Sequence, residues 1–174
     1  MSDPRSLVET PHIRPATPAD AEVIRDFNLG LARETESLEL DPEIVLRGVT
    51  ALLKDSSKGR YFVAEIDGQV VGQLMHTFEW SDWRDGMFWW LQSVFVHPDF
   101  RSRGVFTALY RHLESLARED GGVCGLRLYM EHANHKARSA YLRLGLSPAG
   151  YEVVGSPDWR PRQTPANTPG VPKK

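Results

Sequence analysis

Residues 61–96 constrain the fold more than any other stretch. Tyr61–Ile66 (YFVAEI) is a strand-like run, Asp67-Gly68 is a turn dipeptide, and VVGQLMHTFEW is a second strand-like run. Asp-Gly accepts the positive φ values of a tight hairpin turn, so the two runs are expected to pair antiparallel. SDWRDG supplies the next turn. MFWWLQSVFV, aromatic and β-branched, supplies a third strand. Such a meander must bury its apolar face against another layer, and the flanking segments offer helices for it.

Before the meander, HIRPATPADAEVIRDFNLGLARE gives a short strand and then a helix. Thr17 suits the N-cap, Pro18 the first helical position, and Asp20 stands three residues after the cap. Ala21, Val23, Ile24, Phe27 and Leu31 form the apolar stripe, and Gly30 weakens its far end. TESLEL is expected as a loop. Asp41-Pro42 opens a second helix to about Leu53, with Ile44, Val45, Val49 and Leu52 inward. After the meander a third helix spans Gly104 to Asp120, with Phe106, Leu109, Tyr110, Leu113 and Ala117 buried. GLRLYME is a strand, Asn134 opens a helix ending at Leu144, and Ala149–Val154 is expected as a last short strand. The predicted order is β-α-α-β-β-β-α-β-α-β, a mixed α/β sheet covered by helices. Residues 1–10 form a flexible N-terminus, 11–154 a single domain, and 155–174 a Pro-rich mobile tail.

The composition narrows the function classes. A chain of 174 residues favours one domain, and 41% hydrophobic with 25% charged residues is ordinary for a soluble globular protein. A net charge of −2 gives no bulk attraction to nucleic acid or an anionic membrane. Cys124 is the single cysteine, which excludes an internal disulfide and a cysteine-rich zinc site. The run Met87–Leu91 is too short to span a bilayer, and the start MSDPRSLVET lacks the apolar core of a signal peptide. A cytoplasmic protein is expected.

The stretch VHPDFRSRGVFTALY carries the chemistry. A strand passes through a loop with two arginines and one glycine straight into an amphipathic helix. The first helical turn leaves N–H groups unbonded and adds about half a positive charge, which makes an anion cradle. Gly104 lets a phosphate approach the backbone, and Arg101 and Arg103 can add charge-assisted contacts. On spacing alone a capped turn with two solvated arginines fits as well. The loop lacks the Gly-Lys-Ser/Thr ending of a Walker motif and the three glycines of a dinucleotide fingerprint.

These residues resemble the GNAT superfamily of N-acetyltransferases. The likeness rests on Arg101-Ser102-Arg103-Gly104-Val105-Phe106, on IRPATPAD near the start, and on NHKARSAYLRLGL, together with the element order. It covers about residues 11 to 154. It implies the acyl-CoA N-acyltransferase fold, a mixed central sheet of six or seven strands flanked by about four helices, and acetyl-CoA as acyl donor. Three departures stand out. Phe106 occupies a position usually Gly or Ala, Gln92 stands where many relatives carry a glutamate base, and the usual seventh strand is hard to find. The sheet is then either shorter or completed by a partner chain, and a homodimer is plausible.

The resemblance also implies roles. Main-chain N–H groups of Arg103, Gly104, Val105 and Phe106, with Thr107, would cradle the diphosphate. The backbone around Phe95 and Val96 would pair with the pantetheine amides, and an N–H near Val96 would stabilise the oxyanion. Tyr141 would be the general acid that protonates the departing thiolate; its plainer reading is a core tyrosine. Asn134 would bond the pantetheine or simply cap its helix. An amine acceptor must lose a proton, and Glu79 is the first candidate base, followed by Glu34 and Glu36, all equally readable as solvated surface acids. Gln92 can orient water or substrate. Trp80, in the cluster WSDWRDGMFWW, would wall an acceptor pocket or join a dimer contact. Adjacent Trp89 and Trp90 require both sheet faces to be covered there. His132 and His135 have metal-compatible spacing without further ligands, so no metal is expected. The expected activity is acetyl transfer to a primary amine of a small molecule or peptide, by direct attack in a ternary complex. The alternatives are a catalytically silent acyl-CoA-binding or interaction module, and an acyltransferase with another acyl chain or a hydroxyl acceptor.

Overall fold

The computed structural model describes residues 10–130 and 134–155. The expected flexible N-terminus and Pro-rich tail lie, but for Thr10 and Gly155, outside the described residues, as does His132. Among the described residues nine elements follow one another: β1 (His12–Pro15), α1 (Ala21–Glu36), α2 (Pro42–Lys54), β2 (Arg60–Ile66), β3 (Gln69–Ser81), β4 (Gly86–Val96), α3 (Val105–Asp120), β5 (Val123–Leu128) and α4 (His135–Arg143). The strands make one sheet in the order β1-β2-β3-β4-β5. The first four run antiparallel, and β5 lies parallel to β4, with α3 as the crossover.

Strand alternation divides the interior into two layers. Phe62 joins Leu74, Trp89 and Leu91 beneath Leu109 and Leu113 of α3. Its neighbour Val63 faces the other way, to Ile24 of α1 and Val49 of α2. Leu109 and Leu113 expose no surface, and each contributes roughly 2 kcal/mol through burial. Trp89 stacks on His76 in the α3 layer with ring centroids 4.3 Å apart, while Trp90 stacks on Tyr129, also at 4.3 Å. The adjacent pair thus covers opposite faces.

Three expectations need correction. The sheet has five strands among the described residues, not six or seven. Ala149–Val154 forms no strand: Pro148 brings no N–H, Gly150 turns to φ +76°, and among the described residues no strand pairs with the segment. TESLEL is not wholly a loop, because α1 continues to Glu36 before Ser37 takes a left-handed conformation. Gly30 does not end the helix, and a Cβ there would make only ordinary contact with the Phe95 ring, at 3.4 Å.

The start of α1 differs in detail. Pro18–Asp20 forms one 3-10 turn, and α1 begins at Ala21. Arg14 of β1 donates to both oxygens of buried Asp20 at 2.8 Å and to Glu65 of β2 at 2.6 Å. Hydrogen bonding to Arg14 draws the Asp20 carboxyl down to about 2. One guanidinium therefore joins β1, β2 and the head of α1.

Two positions yield direct stability tests. Gly104, the N-cap of α3, has φ +82°, and a Cβ added there would meet nothing within 4 Å. Gly104→Ala should therefore cost backbone strain alone, about 1 kcal/mol in urea unfolding; no loss would mean that the loop readily takes another conformation. His76 is wholly buried, and neither ring nitrogen has a partner among the described residues. Desolvation, with the Arg60 charge second, pushes its pKa from 6.5 down to about 4. The unfolded chain therefore binds more protons than the folded one between these values. This contribution to stability is complete above pH 6.5 and falls as the pH drops toward 4. Between about pH 7 and pH 5 the protein should lose roughly 2 kcal/mol through His76. His76→Leu should flatten that part of the curve, leaving a smaller slope from His112, which burial also lowers. An equal drop in both proteins would exclude His76 as the cause.

Candidate active site

The site begins where β4 loses its regular pairing. Gln73 faces Phe95 and Met75 faces Gln92, so Ser93 and Val94 together oppose Leu74, a β-bulge. Ser93 has φ +48°, the left-handed region. On the other side, β4 pairs with β5 only as far as Leu91 and Leu128. β5 ends there, so β4 runs on to Val96 with no partner on that side among the described residues, and a groove of about 880 Å³ opens beside it. The His97 N–H bonds the Val71 carbonyl at 2.9 Å, toward β3. By strand alternation, the Val96 N–H and C=O point to the opposite edge, into the groove.

The head of α3 closes one end of this groove. The first intrahelical bond runs from the Ala108 N–H to the Gly104 carbonyl at 2.9 Å. Among the described residues no protein acceptor meets the N–H groups of Val105, Phe106 or Thr107. A serine or aspartate N-cap would have bonded one of them; Gly104 has no side chain to do so. These three amides stand at the positive end of the helix and face a groove that Gly104, Val105, Phe106 and Thr107 line.

The two arginines do not behave alike. Arg101 lines the groove: its Nε donates to the Val96 carbonyl at 2.9 Å and its Nη2 to both Glu34 oxygens at 2.9 and 2.8 Å. It also sits 5.5 Å from the Phe95 ring centroid. It therefore ties α1 to the end of β4. Arg103 lies over the Phe100 ring at 5.1 Å and is not part of the groove lining.

Tyr141 of α4 forms part of the opposite wall, half-buried, with its ring edge against Phe106 at 5.4 Å. Burial raises its pKa above the usual phenol value. Phe106, the large residue in a position usually small, thus supports Tyr141. Asn134 caps α4 through its side-chain oxygen, which accepts from the Ala137 N–H at 3.0 Å, and it also lines the groove.

Of the acceptor-side residues, Glu34, Glu36 and Gln92 line the groove, while Glu79 and Trp80 do not. Gln92 donates to the Thr77 hydroxyl at 2.8 Å. Glu79 accepts from the Trp90 indole at 2.5 Å and from Arg127 at 2.9 Å. It reaches the groove only at one remove, through Trp90, which stacks on the groove-lining Tyr129. Trp80 is 58% exposed near the outer end of the hairpin. Sequence reasoning missed Tyr129, Ser93 and Leu31 as groove residues. Ser93 alone carried a signal, a small polar residue in an apolar strand.

Among the described residues, no group of three or more His, Cys, Asp or Glu side chains is placed to hold a metal ion. Among the same residues, no helix is long and apolar enough to cross a membrane.

The fold has known counterparts. The profile of the Acetyltransferase (GNAT) family matches residues 27–146. An aminoglycoside N(6′)-acetyltransferase type 1 of Stenotrophomonas maltophilia is 26% identical, over 82% of this chain and 99% of its own. An uncharacterized N-acetyltransferase of Bacillus subtilis is 32% identical over 58% of this chain and 68% of its own. The crystal structure of a possible acetyltransferase from Clostridium difficile 630 superposes with a TM-score of 0.80 at 40% identity, covering 85% of this chain and 97% of that one. The chain belongs to the GNAT acetyltransferase family.

Proposed function

We propose that this protein transfers an acetyl group from acetyl-CoA to a primary amine of a small molecule or peptide, by direct attack in a ternary complex. One observation carries the reading: unbonded amides at the head of α3, the free edge of β4 and the hydroxyl-bearing ring of Tyr141 share a single groove. Three unmet N–H donors at a helix head fit a diphosphate, and a strand edge without a neighbour fits an amide-bearing arm. The residues present therefore suit acetyl-CoA, which when bound supplies an activated thioester.

The chain's own groups then divide the work. Val105, Phe106 and Thr107 hold the diphosphate through main-chain N–H groups. The Val96 edge aligns the arm, and its N–H faces the carbonyl oxygen that gains charge as nitrogen attacks. A new C–N bond forms as the C–S bond breaks. Tyr141 gives its phenolic proton to the sulfur that leaves. Glu79 is held by Arg127 and Trp90, and Glu34 by Arg101. Glu36, at the exposed end of α1 on the groove, is our choice to take the amine proton, directly or through water. The match to an aminoglycoside acetyltransferase supports an amine acceptor.

Saturating acetyl-CoA should raise the melting temperature, by about 2.7 kcal/mol of stabilisation at a hundredfold excess over Kd; an unmoved melting curve would remove the proposal. Thiol release across a panel of amines then separates an enzyme from a silent binder. Tyr141→Phe should lower kcat by about a hundredfold while acetyl-CoA affinity stays within about twofold. Because burial favours the neutral phenol, Tyr141 remains able to donate through mildly alkaline pH, so wild-type kcat should not fall between about pH 7 and pH 9. An unchanged kcat in Tyr141→Phe would take the residue out of the mechanism.

A further inference from the structure

Gln73 is wholly buried in β3, in the layer beneath α1. Its Nε2 donates to Asn28 Oδ1 of α1 at 2.8 Å and to the main-chain carbonyl of Ser93 at 3.1 Å. That carbonyl can only accept, so the amide nitrogen must face it. Asn28 in turn donates from Nδ2 to the Tyr61 hydroxyl at 3.0 Å. Burial raises the Tyr61 pKa, while hydrogen bonding to Ser93 and Asn28 opposes the rise. Side chains from α1, β2 and β3 thus converge on one residue of β4, and that residue is the left-handed one in the bulge.

The bulge has two consequences for the groove. Phe88, Trp90 and Gln92 share one face of β4, and regular alternation would put Val94 and Val96 there next. The extra residue switches the parity, so Phe95 turns to α1 instead and packs on Phe27 at 4.9 Å. The same step falls just past the last pairing with β5, where the other edge of β4 has no partner among the described residues. A serine held at positive φ persists only when its surroundings fix it. The bond from Gln73 to its carbonyl is such a constraint, and it leaves Gln73 Oε1 without a partner among the described residues.

We infer that Gln73, supported by Asn28 and Tyr61, is a positioning residue that holds the Ser93–Val94 bulge and thereby sets the free edge of β4 at the distance from the α3 head that an acyl-CoA arm requires. This rests on the acetyl-CoA reading above. It predicts a split between two parts of one ligand. The diphosphate end meets only the α3 amides, whereas the arm meets the edge that Gln73 positions.

Calorimetry with acetyl-CoA and with 3′-phosphoadenosine 5′-diphosphate, on wild type and Gln73→Met, tests the split. The variant should bind acetyl-CoA about tenfold or more weakly and the nucleotide within about twofold of wild type. Equal acetyl-CoA affinity in both proteins would overturn the inference while leaving the acetyl-CoA reading intact. A parallel loss of both ligands would overturn it too, by showing general damage rather than positioning. If wild type binds neither ligand, the acetyl-CoA reading has failed and the inference falls with it. Should Gln73→Met not melt cooperatively, Asn28→Ala, at a half-buried position, removes the next bond in the chain and must give the same split.

Discussion

A strand that outruns its parallel neighbour governs this molecule. β5 ends at Leu128, opposite Leu91, while β4 continues to Val96 with no partner on that side among the described residues. Main-chain donors and acceptors on such an unpaired edge must meet water or a ligand, because an unmet group in a dry interior is costly. The groove is the consequence. It admits solvent to the Val96 edge, and in the acetyltransferase reading it admits the acyl donor. One extra residue in β4 turns the Phe95 ring onto Phe27 of α1, which supports this end of the strand from behind.

The second constraint is conformational. A chain leaving β4 must turn into α3 without covering the helix head with its own atoms. Ser102 and Gly104 both take positive φ, and Gly104 has no side chain with which to cap the amides that follow. Arg101 lines the groove, but its guanidinium is engaged by Glu34 and the Val96 carbonyl, so the unbonded donors at this end are main-chain ones at the positive end of the helix dipole. The resulting donors are fixed in direction and need no reorganisation, the property a site requires if it is to hold one end of a long substrate while chemistry proceeds at the other.

Much of the fold was legible in the residues. The Asp67-Gly68 hairpin, the helix from Asp41-Pro42, the amphipathic α3 and the last helix, capped by Asn134, all follow local rules of turn, cap and period. Where those rules failed, a tertiary contact or its lack decided. α1 continued past Gly30 to Glu36, with Phe27 packed on Phe95 of β4. Ala149–Val154 had two β-branched residues and a tyrosine but no neighbour to pair with, and Gly150 turned out of the extended region. Among groove-lining residues, Gly104 and Tyr141 are singled out by motif spacing. The surroundings of Glu79 could not be read, since its ties to Trp90 and Arg127 join positions 11 and 48 residues apart.

By itself the sequence determined the elements and their order as far as α4, the family, and the glycine at the head of α3, because each depends on residues near one another along the chain. Only the tertiary structure decided that Ala149–Val154 forms no strand, that Arg101 pairs with Glu34, that Glu79 stands behind the groove rather than on it, that Phe106 braces Tyr141, and that a buried amide grips the bulge. The physical reason is the same in each case. A side chain's hydrogen-bond partner is chosen by which groups packing brings within about 3 Å, and distant segments supply those groups only once the sheet has formed.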